Sequence, residues 1–130
     1  MRTPELEARR RAAAAISKMA LVITRSSAAT FSESAIMSVV PPLITAMVIR
    51  LNEAETGNPS TISELARQTG FSRQTVRRQC DDMIAKGILE RRNEGVIASD
   101  EFLEQIDPAH FRSVIQAIRE AATELADIEL

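Results

Sequence analysis

Apolar residues recur at helical spacing through most of the chain, and one short stretch, Ile88 to Ala98, reads instead as two strands about a turn. The pattern therefore predicts a mainly helical protein with a single small sheet. The first periodic run opens at Thr3-Pro4-Glu5. Threonine can cap, proline suits the first helical position, and glutamate suits the positive end of the helix dipole. Leu6, Ala13, Ile16, Ala20 and Ile23 then fall on one stripe, with Met19 and Val22 beside it. The small residues Ser26-Ser27-Ala28-Ala29-Thr30 read as a break. A second helical stretch, capped by Ser32 or Ser34, is interrupted at Pro41-Pro42, because proline lacks an N–H and disfavours helical geometry in the residue before it. A new helix is expected to start at the prolines, with Leu43, Met47, Ile49, Leu51 and Ala54 as its apolar positions. It ends at Thr56-Gly57-Asn58-Pro59.

The stretch from Thr61 to Arg92 has the densest local signals. Thr61-x-x-Glu64 is a capping box, so a helix begins near Ile62, with Ile62 and Leu65 facing inward. Ala66 is small enough for a second helix to cross closely. Gly70 follows at the turn, where positive φ is open to glycine. Ser72 caps the next helix, whose buried stripe is Val76, Cys80, Met83 and Ile84, and Gly87 closes it. The period then changes. Ile88-Leu89-Glu90-Arg91-Arg92 reads as a strand, Asn93-Glu94-Gly95 as a turn, and Val96-Ile97-Ala98 as the return strand. Ser99 or Asp100 caps a short helix. Asp107-Pro108 starts the last one, where Phe111, Val114, Ile115, Ile118, Ala121, Ala122, Leu125 and Ile128 form one sustained stripe.

Composition adds two constraints. Of 130 residues 45% are hydrophobic but only 3% aromatic, with no Trp or Tyr, so the core is aliphatic, as suits long helices. The net charge of −2 hides an uneven distribution. Residues 61–92 are mildly basic, and residues 93–130 are strongly acidic, an arrangement that can orient a protein on a polyanion. The longest uncharged apolar run, Ala35 to Ile49, is too short and too proline-rich to span a membrane. The N-terminal MRTPELEARR lacks the apolar core of a secretion signal. With Cys80 as the lone cysteine, no intrachain disulfide can form, and we expect a cytoplasmic protein.

The candidate chemistry lies on the polar face of the second central helix. Arg73, Gln74, Arg77 and Arg78 occupy its first two turns, flanked by Ser72 and Thr75. In isolation these residues would read as a solvated face. Placed after a helix and a glycine turn, they read as the part of a helix-turn-helix that enters the major groove. Arginine can grip guanine bidentately and glutamine can grip adenine. Ser72 and Thr75, at the helix N-terminus, suit phosphate contacts. Arg91, Arg92 and Asn93 tip the hairpin, where arginine reaches phosphates or a narrow minor groove. Neighbours on a strand alternate sides, so one of the two arginines points to DNA. Asp81 and Asp82 are either solvated or tie this helix to a neighbouring arginine. The Arg9-Arg10-Arg11 triplet is a solvated face or a supplementary phosphate contact. Cys80 belongs to the buried stripe and the methionines to packing. His110 has no second ligand for zinc. There is no glycine-rich phosphate loop and no paired nucleophile and base, so no catalytic residue, metal or cofactor is expected.

Leu65-Ala66, Gly70, Val76 and the ending Lys86-Gly87-Ile88-Leu89 together resemble the winged helix-turn-helix of bacterial transcription regulators of the MarR family. Gln79 stands where that family usually has an apolar residue. The resemblance covers about residues 41–100. It implies a mainly α fold with a small β-wing, in which residues 1–40 and 101–130 supply dimerisation helices. It also implies a homodimeric regulator, a repressor on a pseudo-palindromic site in double-stranded DNA. A second reading within this fold adds a small-molecule effector, seated between the dimer helices and the DNA module. A reading from another class is a winged-helix module for protein–protein interaction without DNA binding.

Overall fold

The computed structural model describes residues 3–30 and 36–130. The described residues form six helices and one hairpin: α1 Pro4–Thr30, α2 Ile36–Thr56, α3 Ile62–Thr69, α4 Arg73–Ala85, β1 Leu89–Arg92, β2 Gly95–Ala98, α5 Asp100–Gln105 and α6 Pro108–Leu125. These make two compact units. One combines Met1–Ile36 with Asp107–Leu130, and the other is Met37–Ile106.

In the first unit α1 packs on α6. Both begin as their sequences predict. Thr3 Oγ1 accepts from the Leu6 N–H, and Asp107 accepts from the Ala109 N–H with Pro108 next to it. The seam between the helices is built from Ala12 and Ala15 on one side and Ala117 and Ala121 on the other, all buried. Small side chains let the two backbones approach. Met19 and Val22 line the same seam. Lys18 lies 3.8 Å from Glu120 and Glu124, and Arg11 lies 3.2 Å from Asp127. These pairs are exposed and contribute at most about 1 kcal/mol each, so the apolar seam holds the unit.

Three expectations change here. The predicted α1 stripe lies one position round the helix from the true seam, and Leu6 and Ile16 stay exposed. The broad stripe on α6 divides. Ala117 and Ala121 meet α1, whereas Phe111, Ile115 and Ile118 are 39%, 44% and 47% exposed. The break at Ser26–Thr30 does not occur, and α1 continues to Thr30. Its small polar residues find partners in the helix's own carbonyls and on α6. Thr24 and Thr30 donate to the carbonyls four residues back, and Ser26 Oγ lies 2.6 Å from His110 Nδ1. Ser27 and Ala28 are buried, which rewards continuation.

The second unit holds α2, α3, α4, the hairpin and α5. Pro41 and Pro42 lie within α2 rather than at its start. Val39 just before them, and Thr45 and Ile49 after them, are almost completely buried. Burial of this continuous face outweighs the backbone hydrogen bonds that the prolines cannot make. The expected capping serines, Ser32 and Ser34, lie outside the described residues. Around α2 the core collects Leu65, Val76, Cys80, Met83, Ile88, Leu89, Val96 and Ile97. Fully burying a side chain such as Leu65 or Val76 contributes about 1.5–3 kcal/mol.

Candidate nucleic-acid interface

The helix pair that presents the candidate residues is set by caps and one turn. Thr61 Oγ1 accepts from the Glu64 N–H at 3.2 Å and starts α3. Gly70, at φ 81, stops it, and its N–H returns to Ala66 O. Ser72 Oγ accepts from the Thr75 N–H at 3.1 Å and starts α4. At the other end, the Gly87 N–H reaches Ile84 O and the Ile88 N–H reaches Met83 O, a Schellman ending that feeds the chain into β1.

Val76, Cys80 and Met83 turn inward, so the opposite face of α4 is committed to solvent. Arg73 and Arg77 form one row on it, and Gln74 and Arg78 the next. All four are exposed, and the three arginines form no ion pair among the described residues. Ser72 and Thr75 are occupied differently. The Ser72 hydroxyl donates to Thr75 Oγ1 at 2.9 Å, so both belong to the cap. The Thr75 hydroxyl proton is still free to donate, as a phosphate contact requires.

The hairpin pairs Leu89 with Ala98, Glu90 with Ile97, Arg91 with Val96 and Arg92 with Gly95. Asn93 sits at its tip with φ 57, a left-handed conformation that asparagine tolerates better than most residues. Arg91 is not free. Its guanidinium is hydrogen-bonded to Asp81 on α4, the aspartate–arginine tie weighed above as one of two readings. Arg92 lies 3.8 Å from Glu90 on its own strand.

A third segment joins the sheet that periodicity did not suggest. Ser60 bridges Val96 through two hydrogen bonds, of 3.0 and 2.8 Å. This approach explains Gly95. A Cβ there would lie 2.8 Å from both Pro59 Cβ and Ser60 O. Asn52 on α2 donates to Ser60 Oγ at 2.9 Å and exchanges two hydrogen bonds with Gln68 on α3. Glu53 accepts from the Ala98 N–H at the end of β2. Asn52 and Gln68 thus tie α2 to α3 and, through Ser60, to the hairpin, and the Glu53 carboxylate holds the end of β2.

The sequence also left Gln79 unexplained. Its Oε1 accepts from Thr45 Oγ1 at 2.6 Å, and Thr45 is completely buried. The available signal was position. Gln79 lies beside the buried stripe of α4, where a polar residue implies a polar partner. Next to it, burial and then the charge of Asp81 push the Cys80 thiol up to about 11, with Arg91 pulling it back. A thiol so placed is a poor nucleophile.

Residues 46–96, from the second half of α2 into β2, match the family model described as the MarR family. This segment is a MarR-like winged helix. The match spans the helix pair, the arginine rows and most of the wing, and it leaves α1 and α6 uncovered. Comparison with curated proteins and with solved structures gave no match. The match likens this segment to transcription regulators of the MarR type. Among the described residues, no cluster of His, Cys, Asp or Glu could hold a metal ion, and no helix is long and apolar enough to cross a membrane. His110 instead bonds Ser26 and packs edge-on against Phe111.

Proposed function

We propose that the chain is a transcription regulator that binds double-stranded DNA as a homodimer, on a pseudo-palindromic site. The observation that carries this reading is the double row of exposed residues, Arg73 with Arg77 and Gln74 with Arg78, on the first two turns of a MarR-like α4. In this reading those four residues meet base edges and phosphates in the major groove. Ser72 and Thr75 support them at the helix N-terminus, and Arg91, Arg92 and Asn93 form the wing's contact. Repression follows from occupancy of the site alone and requires no further surface.

The dimer is inferred from α6. Phe111, Ile115 and Ile118 recur at i, i+4 and i+7, and they remain exposed although α1 already covers the neighbouring face. Covering this row with its copy removes apolar area from water at about 25 cal/mol per Å2. The symmetry of a two-fold dimer matches an inverted repeat, and half-sites read by such a dimer lie about one DNA turn apart, roughly 34–36 Å. Selection of bound duplexes from a random pool tests the whole reading. An inverted repeat with that spacing is expected. Failure to retain any duplex at low salt would instead favour the protein-interaction module, because phosphate attraction is strongest there.

A further inference from the structure

Arg91 belongs to the wing's proposed DNA contact, yet its guanidinium is already paired to Asp81. Asp81 stands three residues after Arg78 and four after Arg77, so its carboxylate lies where the arginine rows of α4 meet the hairpin. Arg91 and Asp81 are 63% and 54% exposed. A pair so open to solvent is screened and exchangeable, so a DNA phosphate can compete for Arg91. The neighbouring acid, Asp82, is turned to Lys86 at 3.2 Å.

We infer that Asp81 is a built-in competitor for phosphate at Arg91, an autoinhibitory contact that limits how strongly the wing binds DNA irrespective of sequence. The inference rests on the DNA-binding reading above. A guanidinium paired with a carboxylate carries no net charge. Docked on DNA as a pair, the two neutralise no phosphate and release no counterion. If a phosphate takes Arg91, Asp81 is left unpaired beside a polyanion, which opposes the exchange. The arginine rows of α4 have no such competitor among the described residues. Sequence-independent attraction is therefore restrained at the wing, while the part that reads bases keeps its full charge.

The experiment uses the full chain and three variants: Asp81→Asn, Arg91→Gln and the double variant. Binding to a labelled duplex of random sequence is followed by fluorescence anisotropy over a range of KCl concentrations, with circular dichroism confirming each fold. Each phosphate contact adds about 0.9 to the slope of log K against log salt. Asp81→Asn is expected to steepen the slope by about that amount, which makes its gain at 0.1 M salt about eightfold larger than at 1 M. The same substitution in the Arg91→Gln background should leave the slope unchanged. An unchanged slope for Asp81→Asn overturns the inference, as does an equal gain in the Arg91→Gln background, where the carboxylate would act through its own charge alone. Those outcomes leave DNA binding intact. If the parent and all variants ignore duplex DNA at low salt, the DNA reading fails and the inference falls with it.

Discussion

Gln79→Leu tests how α4 is held, because the half-buried Gln79 is hydrogen-bonded to a threonine in the core. Thr45 Oγ1 donates to Gln79 Oε1 over 2.6 Å, and nothing of Thr45 is exposed. Gln79→Leu removes the acceptor and leaves the hydroxyl in an apolar site. Loss of one hydrogen bond contributes about 1 kcal/mol, and an unsatisfied buried hydroxyl raises the cost to about 3. Destabilisation of about 1–3 kcal/mol is therefore expected. Adding Thr45→Val replaces the orphaned hydroxyl with a methyl of the same shape, and the double variant should return to within about 1 kcal/mol of the parent. Urea unfolding at fixed protein concentration reads this directly. With a slope of about 1–3 kcal/mol per M, Gln79→Leu should lower the midpoint by roughly 1 M. The reasoning is refuted if Gln79→Leu unfolds with the parent, or if the double variant shows the sum of the two single losses. Either result would mean that the pair is incidental to the packing of α2 on α4.

Gly95→Ala drives a Cβ to within 2.8 Å of Ser60 O, so it should break the Ser60–Val96 bridge and lower stability by about 2–4 kcal/mol, measured by the same unfolding. Arg77→Ala should weaken binding to the selected site by about 1–3 kcal/mol and relax sequence preference there, whereas Arg92→Ala should weaken all duplexes alike; equal, sequence-blind losses would remove Arg77 from the reading head. Ile115→Glu sets a charge in the exposed row of α6 and should shift sedimentation from dimer towards monomer by at least about tenfold in dissociation constant; an unchanged dimer would place the interface elsewhere. Cys80 should resist a thiol reagent at pH 8 in the native protein and react fully once unfolded. Because its folded pKa is raised, its contribution to stability is complete below the ordinary thiol range and is lost as pH climbs towards about 11, so Cys80→Ala should flatten the decline of stability over that interval.

What the sequence determined by itself is local. The capping box at Thr61, the caps at Ser72, Ser99 and Asp107, the turn at Gly70 and the hairpin around Asn93 are interactions between residues a few positions apart. Backbone geometry fixes such distances before any packing occurs, so spacing alone located α3, α4, the wing and the arginine rows. The tertiary structure decided what depends on residues far apart in the chain. Burial of Val39, Thr45 and Ile49 carries α2 through two prolines that local propensity reads as a boundary. An alanine seam with α6 chooses which side of α1 is inside, so the side left wet is the one the pattern marked as apolar. Thr45 meets Gln79 across 34 positions, and the approach of Ser60 to Val96 is what requires glycine at 95. Asp81 and Arg91 show the division within one residue pair. Helical spacing places the carboxylate beside the arginine rows, but only the fold brings the hairpin's guanidinium to it, because a side chain's partner is set by which elements pack together and not by the period of its own helix.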